Sequence, residues 1–233
     1  MEVDGFFAQI YNKFSDVPSP SERGNTAIKL LEEKYDIPFF FTEVRSIGSI
    51  MDDYYTVICY PTEQPEIVFE ARVSLDGKSV VDEFSVKLAC FRYCRDMMKR
   101  ITRMNGCLYL QMNSVVRGFN FDNKIISIKE IQRINPNNCY IINLFYTQVD
   151  SGKDDLYDIV NQMLSGEESI NGLINVYFLP DTIRKKAQLY LEEHDKCYAD
   201  LDELTEGRLP FQTRIINNKL DISRAEWEKG CDY

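Results

Sequence analysis

Residues 66–100, EIVFEARVSLDGKSVVDEFSVKLACFRYCRDMMKR, contain the change of period that decides the fold. In the first half, Ile67, Phe69, Ala71 and Val73 fall on one face, with Glu66, Glu70 and Arg72 among the polar positions. That alternation is the pattern of a half-buried strand. Asp76-Gly77 is a turn signal. From Asp82 to Met104 the spacing predicts a long helix: Val86, Cys90, Cys94, Met97, Ile101 and Met104 step by three or four residues into one apolar stripe. Phe91 and Met98 flank the stripe, and Asn105-Gly106 stands where a left-handed helix cap is expected.

Upstream, residues 39–49 (FFFTEVRSIGS) and 53–61 (DYYTVICYP) are rich in β formers. With the strand from Glu66 they predict a three-stranded meander. A helix over Thr26 to Tyr35, closed by Pro38, precedes them. A shorter amphipathic helix in GFFAQIYNKF precedes that, with SDVPSPSERGN as a break between the two.

Downstream, Cys107 to Val116 reads as a strand, followed by a hairpin around Asp122-Asn123. SIKEIQRI is a helix with Ser127 and Glu130 in capping-box spacing. CYIINLFYTQV is a nearly continuous apolar run, as in a strand buried on both faces. DDLYDIVNQMLSG is a helix, INGLINVYFL a buried strand and PDTIRKKAQLYLEEH a helix. An acidic connector, CYADLDELTEGRLP, leads to a last strand or hairpin turning at Asn217-Asn218 and a closing helix in SRAEWEKG.

The expected class is therefore α+β. A helix and antiparallel meander, completed by the long helix, fill residues 1–105; a β-α-β-α-β part fills 106–233 and packs closely against the first.

Cys90 and Cys94, four residues apart, are the most site-like pair in the chain. A tetrahedral zinc site needs four ligands, and the sole histidine, His194, three residues before Cys197, supplies one further weak pair. A redox C-x-x-C motif has one residue fewer between its thiols. The pair lies on the apolar stripe, so both thiols are expected to be buried and reduced, packing as small hydrophobes. No metal or cofactor is expected.

The seven cysteines are odd in number and scattered through apolar segments, unlike a disulfide framework. At 44% hydrophobic and 27% charged residues, the chain buries a core without such help. MEVDGFFAQIYNKF lacks the basic-then-apolar order of a secretory leader. No apolar run reaches the roughly 20 residues that span a bilayer. The expected compartment is the cytoplasm.

The formal charge of −10 argues against nucleic acid or an anionic membrane as the partner. The phosphate-binding loop, the dinucleotide glycines, the HExxH motif and the nucleophile elbow are all missing, and one histidine makes triad chemistry hard to assemble. The partner-binding candidates are the basic residues on the far side of the long helix, Arg92, Arg95, Lys99 and Arg103, and the acids Asp52 and Asp53. The acidic cluster Asp200, Asp202, Glu203 and Glu206 lacks the glycine and spaced glutamate of a calcium loop.

Residues 26–84, from TAIKLLEEKYDIPFFFTEVRSIGS through YYTVICYP to IVFEARVSLDGKSVVDEF, resemble the helix-and-meander region of uncharacterised proteins of Gram-positive bacteria, in an order similar to cystatin-like modules. The likeness covers about a quarter of the chain and carries over no active-site motif, so it implies a fold and no activity. The functional expectation is a non-enzymatic, cytoplasmic protein-binding module. An immunity or accessory protein neutralising a basic partner is one version of it. The alternative is a small-molecule binder or enzyme with a cleft between the two parts, lined by Asp52, Asp53, Tyr54 and Tyr55. Nucleic-acid mimicry, from acids arrayed at phosphate-like spacing, is a third reading.

Overall fold

The computed structural model describes residues 18–45, 53–100, 107–114, 126–147, 154–179 and 209–230. The class is α+β, with two sheets. The chain divides into two compact units, residues 1–84 with 118–124 and residues 85–117 with 125–233. The division therefore falls at Phe84–Ser85, ahead of the boundary expected near residue 105, and the long helix goes with the second unit.

In the first unit, helix α1 (Pro20–Tyr35) starts six residues before the expected Thr26. The serine- and proline-rich stretch read as a break is the helix start itself. Ser19 Oγ accepts from the Glu22 N–H at 3.3 Å, the Ser19 N–H donates to Glu22 Oε2 at 2.8 Å, and Pro20 takes the first helical position. Proline suits that position because its missing N–H has no intrahelical partner there. Asp36, at φ 57°, ends the helix by donating its N–H to Glu32 O at 2.9 Å.

Strands β1 (Phe39–Arg45), β2 (Tyr54–Pro61), β3 (Phe69–Ser74) and β4 (Val80–Asp82) form an antiparallel sheet in the order β1-β2-β3-β4. The expected three-stranded meander thus gains a fourth strand. Gly77, at φ 67°, turns the chain between β3 and β4. Tyr55, Val57 and Cys59 of β2 and Phe69, Ala71 and Val73 of β3 are buried, beneath Ala27 and Leu31 of α1. Phe84 meets Tyr35, Phe39 and Phe69 at ring-centre distances of 4.8, 5.1 and 5.3 Å.

Asp82, expected to open the long helix, closes β4 instead. Its side chain is fully buried and fully engaged. It accepts from Lys34 Nζ at 2.9 Å, from the Tyr35 hydroxyl at 2.9 Å and from the Phe84 N–H at 2.9 Å. One carboxylate thus ties the end of α1 to the start of the next helix, and the buried charge is compensated by a direct partner.

The second unit contains most of helix α2 (Phe84–Arg100) and a five-stranded sheet of β5 (Cys107–Ser114), β6 (Tyr140–Thr147), β7 (Gly172–Leu179), β8 (Phe211–Ile216) and β9 (Lys219–Leu220), in that order. Neighbours are antiparallel except β6 and β7, which run parallel. Helix α4 (Asp154–Leu164) makes the crossover a parallel pair requires. Gly172 opens β7 where a Cβ would strike the backbone of Tyr140 on β6.

Helix α3 (Ile128–Ile134) has the expected capping box, with Ser127 and Glu130 bonded reciprocally. The hairpin between β8 and β9 turns where expected: Asn217 and Asn218 take φ values of 48° and 63°. Two successive left-handed residues make the turn type that matches strand twist. Helix α5 (Arg224–Gly230) buries Trp227 against Tyr157 and Phe211. The helices and hairpin expected over residues 5–14, 122–123 and 180–194 lie outside the described residues.

Candidate functional site

Two surfaces and one row of amides carry residues that can do chemistry or recognition. The first surface is the far side of α2. The wheel separates the helix as expected: Cys90 and Cys94 are buried, and Arg92 and Arg95 are exposed. The buried arc is wider than the predicted stripe, because Ser85, Leu88, Ala89 and Tyr93 are buried too. Burial pushes the Cys90 thiol up to about 12, so it stays protonated at neutral pH. Cys59 in the first unit is pushed to the same value by burial and by the Asp82 carboxylate. Among the described residues, no cluster of three or more His, Cys, Asp or Glu side chains is placed to hold a metal ion.

The cations of α2 are partly spoken for. Lys99 donates to Asp96 one turn back at 2.8 Å. Arg100 lies over the Tyr93 ring at 5.2 Å and donates to Met163 O, at the end of α4, at 3.1 Å. The Arg95 guanidinium carbon sits 5.9 Å from the centre of the Phe91 ring. Arg103 and Asp52 lie outside the described residues.

Asp53 is exposed just before β2, and its backbone carbonyl accepts from the Leu75 N–H. Of the two tyrosines that follow, Tyr55 is 2% exposed and its hydroxyl turns back to Arg23 O. It belongs to the core. Tyr54 points the other way, and Arg72 stacks on it at 5.2 Å.

Tyr54 leads to the second surface, which sequence reasoning missed: the outer face of the first sheet. A bulge between Phe41 and Glu43 changes the parity of β1. Before it, Phe40 opposes Tyr60 on the outer face; after it, Glu43 opposes Ile58 and Arg45 opposes Thr56, while Val44 opposes the buried Val57. Without the extra residue Glu43 would point into the core. Phe40 is 54% exposed, with its ring centre 6.0 Å from that of Tyr60. Arg45 is held between Glu43 at 3.3 Å and Glu70 at 2.8 Å. The face thus reads as an aromatic end at Phe40, Tyr60 and Ile58, a neutralised ionic middle, and an Arg72–Tyr54 stack beyond. Helix α1 packs on the opposite face of this sheet.

The second sheet carries a row of four amides in register, Gln111, Asn143, Asn175 and Gln212, one on each of four strands. Each donates to the next: Gln212 to Asn175 at 2.7 Å, Asn175 to Asn143 at 2.8 Å and Asn143 to Gln111 at 3.3 Å. These groups satisfy one another, so the row pins register before it binds anything.

No known family matches the sequence, and no curated protein matches it. The crystal structure of a DUF5037 family protein from Ruminococcus gnavus is similar to this chain, with a TM-score of 0.62 at 13% identity, over 89% of this chain and 98% of the other. At that identity the likeness shows the fold alone. No helix among the described residues is long and apolar enough to cross a membrane.

Proposed function

We propose that this chain is a non-catalytic protein-binding module that docks its partner on the outer face of the first sheet. The observation that carries the reading is Phe40, a large aromatic held 54% exposed beside Tyr60 on a sheet face opposite the covering helix. Phenylalanine, tyrosine and arginine are the residues that protein interfaces concentrate at their centres. Here Phe40 and Tyr60 form one end of the face and the Arg72–Tyr54 stack the other, with the Glu43–Arg45–Glu70 pairs between them.

The partner this surface fits presents an apolar side chain to Phe40, on a protein whose overall charge is basic. The net charge of −10 steers such a partner in and repels acidic competitors. An immunity or accessory role toward a basic protein is the concrete version. Four free thiols among the described residues, Cys59, Cys90, Cys94 and Cys139, suit a reducing compartment such as the cytoplasm.

The test is differential capture from the native host with wild-type chain, Phe40→Glu and Arg92→Glu. Recovery of one protein by wild type and Arg92→Glu, but not by Phe40→Glu, supports the reading. Equal recovery by all three, or loss confined to Arg92→Glu, overturns it.

A further inference from the structure

We infer that the open edge of β1 pairs with β1 of a second copy of this chain, antiparallel about a two-fold axis, with Phe41 of each strand opposite Val44 of the other. The inference goes beyond the docking face and does not rest on it. β1 is the outermost strand of the first sheet, next to β2 alone.

The ladder shows which of its backbone groups face outward. Facing residues of an antiparallel pair alternate between bonded to each other and not bonded. Pro61, opposite Phe39, has no N–H, and the Phe39 N–H donates instead to Glu32 Oε1 at 3.3 Å. Pro38 O accepts from the Thr62 N–H at 2.9 Å, on the β2 side. Phe39 therefore faces out, Phe40 faces Tyr60, and Phe41 faces out. Beyond the bulge the other strands set the order. Glu70 O accepts from the Glu83 N–H at 3.2 Å and so turns toward β4. Its neighbour Ile58 then bonds β1 at Glu43, Val57 bonds β3, and Val44, opposite Val57, faces out. Among the described residues nothing bonds the N–H or C=O of Phe41 or Val44 on that side.

The bulge selects the occupant. Two residues, Thr42 and Glu43, lie between these outward positions, where a regular strand has one. A regular strand bonded at Phe41 falls out of step at Val44. A second β1 carries the same extra residue, and in antiparallel pairing it lands opposite the first: Thr42 faces Glu43 of the other copy. A two-fold axis then makes each contact twice.

The side chains agree with this register. Val44 opposes the buried Val57, and the Phe41 ring lies where a Cβ on Gly24 of α1 would strike it, so both point to the helix side. On the outer side, exposed Phe40 meets Arg45 of the other copy, an aromatic opposite a cation. No like charges face each other. A slip of one residue sets the inward Phe41 against the outward Glu43, which the pleat forbids. The net charge of −10 on each copy opposes the pairing, and salt screens that repulsion.

The test is sedimentation equilibrium of the full chain at low and moderate salt, wild type against Val44→Pro. Proline removes an N–H that faces away from β2, so the folded chain tolerates it as edge strands do. The inference predicts a wild-type dimer that tightens as salt rises and a Val44→Pro dimer weaker by about tenfold or more. Amide exchange on wild type, read by NMR, should slow at Phe41 and Val44 as concentration rises, and this holds the test even where the variant fails to fold. A wild type that stays monomeric, a dimer that Val44→Pro leaves intact, or exchange at Phe41 and Val44 that ignores concentration overturns the pairing. Val44→Pro keeps Phe40 in place, so loss of the dimer and loss of partner capture are read separately.

Discussion

The outer face of the first sheet and the outer face of α2 both carry residues of the kind partners use, and they offer them differently. On α2 the residues are cations, and the helix has already engaged several: Lys99 with Asp96, Arg100 with Met163 O, Arg95 against Phe91. On the sheet the ions cancel one another, through Glu43, Arg45 and Glu70, and the aromatics are left open. A charge run read from a wheel marks where charge lies and says little about whether it is free. A single exposed aromatic on a strand is invisible to the wheel and is the better docking group, because desolvating it is favourable while desolvating an ion is not.

The largest expected effect tests the frame that holds the open sheet. Asp82→Ala removes the carboxylate that the buried Lys34 ammonium, the Tyr35 hydroxyl and the Phe84 N–H all donate to. Chemical denaturation should show a loss of about 3–5 kcal/mol. A loss below about 1 kcal/mol would mean that the ion pair relaxes into solvent and does not organise the unit.

Next comes Phe40→Ala. Against an identified partner it should weaken binding by about 2 kcal/mol or more, as a central aromatic does, while changing stability by about 0.5–1 kcal/mol through the lost Tyr60 pair. A variant that loses stability by well over about 1 kcal/mol while its folded form keeps its affinity would recast Phe40 as a packing residue.

A pH titration sharpens the contrast between buried and open groups. Cys59 and Cys90 are raised from 9.0 to about 12 in the folded chain. The folded state therefore holds these protons more tightly than the unfolded one. Their contribution is complete below pH 9 and fades as pH rises from there toward 12. At about pH 10 the loss should reach roughly 1.4 kcal/mol per thiol. Flat stability between pH 8 and about pH 10 would show that the thiols are not sealed. Cys94→Ala, at 6% exposure, should cost about 1 kcal/mol by lost packing.

The smallest effects belong to α2. Arg92→Ala and Arg95→Ala should each shift stability by no more than about 0.5 kcal/mol and leave partner affinity unchanged. A large affinity loss there would reverse the ranking of the two surfaces.

Local chemistry was legible in the sequence wherever a few neighbouring residues settle the conformation. Ser127 with Glu130 announces α3, Asn217-Asn218 announces the last hairpin, and the spacing of Cys90, Cys94 and Met97 turns both thiols inward. The same logic applied to Ser19, Pro20 and Glu22 also marks a helix start, but proline and serine read equally well as a break. What stayed hidden depends on distant partners. Asp82 sits at a helix-like position in the sequence and joins β4 because Lys34, far back along the chain, compensates its charge. The bulge beside Phe41 reverses which side Glu43 faces, and no residue near it announces that. The openness of Phe40 follows from which face α1 covers, a fact of packing that no periodicity records.

The most direct test of the docking face places a photo-crosslinking phenylalanine analogue at position 40 in one chain and at position 92 in another, both expressed in the native host. The account predicts a discrete crosslinked adduct to another protein from position 40 and none from position 92. An adduct from position 92 alone, or none from position 40, would contradict it.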